Sequence, residues 1–170
     1  MLAARREYGT FAWTREAGEM GSKYHLAQLN IGRVLWPPDD PRMAGFMGRL
    51  DELNKLADES PGFVWRLQTE AGNATDLRPY EDERLLVNMS VWKTLAELRE
   101  YVYRSAHATV LGQRQQWFEA MTTPFFVLWW VPAGHIPNVE EAKARLEELA
   151  ARGPGPGAFT LKQTFPPPDA

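Results

Sequence analysis

Large apolar residues recur at strand spacing, or run together, in four segments: Tyr24 to Ile31, Phe63 to Gln68, Arg84 to Trp92 and Phe125 to Val131. The first three alternate apolar with polar or smaller side chains, the mark of a strand with two unlike faces. The fourth, Phe-Phe-Val-Leu-Trp-Trp-Val, is apolar on both faces and is expected at the centre of a sheet.

Between these segments the period lengthens to that of a helix. Met43, Phe46, Met47, Leu50, Leu53 and Leu56-Ala57 form one stripe, predicting a helix from Pro41 to about Asp58 with Asp40 as its cap and Pro41 in its first turn. Leu95, Leu98, Val102, Ala106, Val110 and Gln113 predict a second, opened by Thr94 with Glu97 three residues on, and running towards Met121 with a break near Ser105. A third starts at Pro137 or Asn138 and continues through Leu149 until Gly153-Pro154-Gly155-Pro156-Gly157 stops it, and Phe159 to Phe165 predict a short extra strand.

The order β-α-β-β-α-β with an appended helix and strand specifies a ferredoxin-like α+β sandwich, with both main helices on one face of a four-stranded antiparallel sheet. The domain is expected over residues 23–165, with 1–22 as an extension of weak periodicity and 166–170 as a proline-rich tail. The sheet face away from the main helices needs a cover. A symmetric homodimer packed sheet to sheet, a dimeric α/β barrel, is the expected one.

Splitting each strand by parity separates two surfaces. Ala27, Leu29, Ile31, Leu85, Val87, Met89, Val91, Phe63, Trp65 and Leu67 form an apolar set, expected under the helices. Gln28, Asn30, Arg66, Gln68, Asn88, Ser90 and Trp92 form the other, with Leu26 and Leu86 among them. That second surface is either solvated, as antiparallel sheets commonly are, or the wall of a ligand cavity with a few convergent polar groups.

Composition removes several classes of function. There is no cysteine in the 170 residues, so thiolate nucleophiles, thiolate zinc sites and disulfides are excluded, and a cytoplasmic address is expected. The net charge is −3 with Lys and Arg scattered, so nucleic acid is not an expected partner. The longest apolar run is strand-sized, so no membrane partner is expected either. Seven Trp are many for this length and suggest a thick core or an aromatic-walled pocket.

Three histidines are the candidates for acid-base or ligand chemistry. His25, at the start of the first strand, reads as a half-buried imidazole bonded to backbone. His135, on the turn between Pro132 and Pro137, reads equally as a loop functional group or as a cap for the next helix. His107, one turn from Tyr103 on the second helix, could aim into the cavity as a base or a ligand. No His-Glu-x-x-His or phosphate-cradling glycine loop is present.

The blocks Tyr24 to Asn30, Pro61 to Leu67, Leu85 to Trp92, Tyr103-Arg104-Ser105-Ala106-His107 and Trp129 to His135 resemble a bacterial domain-of-unknown-function family akin to the dimeric α/β-barrel superfamily, which includes antibiotic-biosynthesis monooxygenases and haem-binding or haem-degrading relatives. The first kinship implies an aromatic or polycyclic ligand walled by Trp92 and Trp65, with Asn88, Gln28 and Asn30 holding a phenolate for reaction with oxygen without a cofactor. The second implies haem with His107 as axial ligand. The expected site is therefore His107 and Asn88 as catalytic groups, with Gln28, Asn30, Trp65, Arg66, Gln68, Ser90, Trp92 and Tyr103 binding a small aromatic or apolar molecule. The function expected is that of a monooxygenase-like or haem-dependent oxidoreductase, or of a non-catalytic, stress-related dimer that sequesters a ligand.

Overall fold

Strands β1 (Tyr24–Arg33), β2 (Phe63–Arg66), β3 (Leu85–Trp92) and β4 (Phe126–Pro132) pair into one antiparallel sheet of order β2-β3-β1-β4 in a computed structural model that describes residues 22–104 and 106–169. This is the ferredoxin-like order. The expected N-terminal extension lies, apart from Ser22, outside the described residues. The register sets Gln28 opposite Ser90 and Asn30 opposite Asn88 on β3, and the same two residues opposite Leu128 and Phe126 on β4.

Two expectations about the strands are corrected. The first strand does not stop at Ile31, and β1 runs on through Gly32 to Arg33. A glycine is favoured at position 32 because a Cβ would stand 2.7 Å from a ring carbon of Phe118, which packs against the strand. The all-apolar β4 is an edge strand, not a central one. Its composition follows from cover on both faces and along its free edge, where Leu128 and Phe159 exchange two backbone hydrogen bonds of 2.8 Å. That exchange is all that forms of the strand expected over Phe159 to Phe165, because a glycine-proline run precedes it and three prolines follow.

The helical segments are shorter than their stripes. Pro41 to Asp58 divides into a 3-10 turn (Pro41–Met43), α1 (Ala44–Met47) and α2 (Leu50–Asp58). Asp40 does cap the start, its carboxylate accepting from the Arg42 N–H at 2.9 Å, while Gly45 and Gly48 weaken the middle. The second segment divides into α3 (Leu95–Arg104) and α4 (Ala106–Gly112), then a 3-10 turn (Arg114–Gln116). The break expected at Ser105 falls on a residue outside those described. Helix α5 (Val139–Arg152) begins at Asn138, whose side chain accepts from the Glu141 N–H at 2.8 Å, and ends at Gly153 in the left-handed region, φ 74°.

The two faces of the sheet are used the opposite way round from expectation. The apolar set, Ala27, Leu29, Ile31, Val87, Met89 and Val91, packs against Ala142, Leu146 and Leu149 of the appended helix α5. Helices α1 to α4 lie over the polar set instead, touching it through Ala57, Leu98, Phe46 and Val110 at its margins. The physical reason is complementarity: α5 carries a tight apolar stripe that needs a flush apolar partner, which the Ala27-Leu29-Ile31 face supplies. The cover expected from a second copy is thus provided by α5 of the same chain.

Strand β2 holds one irregularity that matters for the site. The register shifts between Phe63 and Trp65, so residues of like parity part company. Phe63 packs on the α3 side, while Val64 and Trp65 pack on the α5 side.

Candidate ligand-binding site

Helices α1 to α4 rest on the margins of the polar sheet face and leave a cavity of ≈ 780 Å³ between sheet and helices, closed on one side by Asn73, Ala74 and Thr75 of the loop before β3. The volume is in the range of small-molecule sites, roughly 300 to 1,000 Å³. It lies within a single chain, whereas the sequence reading placed it between two sheets of a dimer.

Its floor is a row of hydrogen-bonded polar side chains. Gln28 is 5% exposed and Ser90 7%. The Gln28 amide donates to Asn88 Oδ1 at 2.7 Å and to Ser90 Oγ at 2.9 Å, and the Trp92 indole N–H donates to the same Ser90 Oγ at 2.8 Å. A hydroxyl has two acceptor sites and one proton. Both acceptor sites of Ser90 are filled, so its own proton is left to donate. Gln28 Oε1 and Asn88 Nδ2 likewise make no hydrogen bond among the described residues. The floor therefore offers donors from Ser90 and Asn88 and an acceptor from Gln28, each side chain anchored by a hydrogen bond to a neighbour in the row.

Aromatic rings build one wall. Trp92 is fully buried, stacks on Tyr101 with centroids 5.0 Å apart, and meets Phe63 edge-on at 5.5 Å. Burial pushes the Tyr101 phenol up to about 12, so it stays protonated at neutral pH. His107 packs against Tyr101 at 4.9 Å; burial pulls its pKa below the ordinary value, against a smaller upward pull from its bond to the Val102 carbonyl. The imidazole is neutral. Its Nδ1 is enclosed by protein and its ring is bonded to the backbone of α3.

Of the other expected residues, Asn30 lines the cavity beyond Asn88, and Tyr103 stands at its mouth, 55% exposed. Arg66 lines it too, but its guanidinium is committed: Nε and Nη2 donate to the Asp58 carboxylate at 2.8 and 3.2 Å, and Nη1 to the Gly72 carbonyl at 2.7 Å. It fastens the loop to α2. Trp65 is not a wall, since it stands opposite Val91 on the apolar, α5-covered face as its parity requires, and Gln68 lies past the end of β2, exposed and away from the cavity. His135 proves to be a partner of α5, its Nε2 2.8 Å from Glu141 Oε2, while Glu141 also accepts from the Trp129 indole. Sequence reading missed Tyr101, Arg114 and Phe118. Tyr101 is one turn from Leu98 on the same helix face, a signal that could have placed it indoors.

The family model described as Domain of unknown function (DUF3291) matches residues 25–170, which contain every residue of the cavity wall. The chain belongs to the DUF3291 family. No curated protein matches it at a significant level. Among solved structures, this DUF3291 domain is similar to SnoaB, a cofactor-independent oxygenase from Streptomyces nogalater, with 15% identity over 66% of this chain and 95% of that one and a TM-score of 0.44. It is also similar to a protein of unknown function from Nitrosomonas europaea, with 12% identity over 69% of this chain and 99% of the other and a TM-score of 0.42. The DUF3291 match agrees with the family resemblance read from the sequence blocks. No helix among the described residues of the DUF3291 domain is long and apolar enough to cross a membrane.

Proposed function

We propose that this domain binds a flat, mostly apolar small molecule inside its own fold, with an oxygen-bearing edge of the molecule against Gln28, Asn88 and Ser90. The observation that carries the reading is the hydrogen-bonded row on the cavity floor. Gln28 and Ser90 are buried and Asn88 is exposed towards the cavity space; the three hold one another in place and still direct unused hydrogen-bonding capacity into an apolar-walled space. A face that was merely solvated would need no such arrangement, and a face that was merely core would carry aliphatic residues.

The geometry supports binding better than proton abstraction. Deprotonating a phenolic ligand requires a base that reaches it, and the groups beside the floor are a phenol held near 12 and an imidazole bonded to backbone. Asn88 and Ser90 can stabilise a ligand oxygen but cannot take a proton.

Native mass spectrometry of the purified protein, followed by titration with N-phenylnaphthylamine, a neutral dye that brightens in apolar sites, tests the reading. One dye per chain, with affinity weakened several-fold by Gln28→Leu, is the expected result. Saturation at many dyes per chain, or binding indifferent to Gln28→Leu and to Trp92→Phe, would overturn it.

A further inference from the structure

The lining of the cavity is electrically one-sided. The chain has 22 acidic and 19 basic residues, yet among the described residues no Asp or Glu lines the cavity, while Arg66, Arg114 and Lys162 do. Arg66 is neutralised by Asp58, and Lys162 is exposed at the rim. Arg114 is different. Its guanidinium lies 4.7 Å from the Phe125 ring centroid and 6.0 Å from that of Phe118, with no carboxylate in ion-pair range and no hydrogen bond from its side chain among the described residues. Elsewhere on the molecule Arg33, Arg42, Arg84 and Arg145 all have acidic partners.

A guanidinium on aromatic faces keeps its in-plane N–H groups free, and that planar fork matches a carboxylate in two-pronged fashion. Phe118, one of the two rings, rests on Gly32, four residues along β1 from Gln28. At strand rise the Gln28 floor and the Arg114 end are separated by about 13 Å, the length of a two- to three-ring molecule with a side group.

We propose that the ligand is an anion: an aromatic or similarly apolar carboxylic acid whose body lies over the Gln28–Ser90–Trp92 floor and whose carboxylate is held by Arg114. The inference rests on the binding reading above and adds the charge class of the ligand and the residue that selects it. Among the described residues no other cation lines the Arg114 end, and the absence of carboxylates from that lining removes repulsion from the approach.

Two dyes with the same aromatic body separate the claims: N-phenylnaphthylamine, which is neutral, and anilinonaphthalene sulfonate, which carries a carboxylate-like anionic group. The intact protein is titrated with each, alongside Arg114→Gln and Arg114→Lys, with circular dichroism to confirm that both variants fold. The expected result is that Arg114→Gln weakens the sulfonate roughly tenfold or more and leaves the neutral dye unchanged. Arg114→Lys should recover part of the loss, and added salt should weaken only the sulfonate. Equal effects on both dyes, or none on either, overturn the anion inference while the neutral dye's binding keeps the cavity reading. Failure of both dyes to bind the unaltered protein overturns both.

Discussion

Ser90 holds two donors at once, and this makes it the most sensitive residue of the floor. Replacing it with Ala removes the acceptor for the Trp92 indole, which is fully buried, and one of two acceptors for Gln28. A buried donor left without a partner costs about 1 to 3 kcal/mol. Ser90→Ala should therefore lower stability by that amount in urea unfolding with an unchanged m-value, and an unaltered midpoint would show that the row is not structural. At this scale the sequence was informative where strand parity applied: Gln28, Asn88 and Ser90 fall on one face by counting in twos. It was right on Trp65, which parity puts on the apolar face although the resemblance implied a cavity wall, and silent on Phe63, because a register shift in β2 leaves no trace in composition. It was silent too on Arg114, whose role depends on rings from two other segments.

The segment between β2 and β3 shows how an irregular element is held in place. Gly72 takes a positive φ of 80°, and its carbonyl accepts from Arg66 at 2.7 Å and from Asn54 of α2 at 3.5 Å. Asp58, the last residue of α2, orients that same arginine with both carboxylate oxygens. The loop that flanks the cavity is thus tied to α2 chiefly through Arg66 and Asp58, with Asn54 as a longer second contact. Asp58→Asn keeps the shape and removes the charge, so it should speed proteolytic cleavage between Thr69 and Tyr80 several-fold while leaving global unfolding nearly unchanged. Cleavage at the original rate would mean that Arg66 is not the fastener. The helices teach a related point about legibility. Their stripes located α2, α3 and α5, but breaks at Gly48 and Gly112 shortened them, since apolar spacing continues across a glycine that weakens the helix there.

For the molecule as a whole, the decisive element is α5. Alternation revealed two sheet faces but not which layer would cover each, because parity carries no information about partners. The structure gives the flush apolar face to α5 and leaves the polar face under helices that touch only its margins. A cavity follows from that allocation. A second copy of the chain, wherever it docks, cannot use the Ala27-Leu29-Ile31 face while α5 lies on it. Leu146 of α5 is 7% exposed against this face, and Leu146→Ala should destabilise the protein by about 2 to 5 kcal/mol, read as a lowered melting temperature. A loss well under that figure would indicate that α5 is loosely attached.

The lone bridge between Phe159 and Leu128 has a consequence for how this protein behaves in crowded solution. An edge strand as greasy as Phe126–Pro132 is a template on which another molecule's backbone could add, the first step towards aggregation. Phe159 occupies the backbone groups of Leu128, and the Trp130 indole donates to the Phe165 carbonyl at 2.9 Å, so the C-terminal segment lies along the strand as a fixed strip. The prolines at 166–168 that follow cannot extend a ladder. The chain thereby ends its sheet with a segment that shields β4 from intermolecular pairing and does not itself invite a further strand.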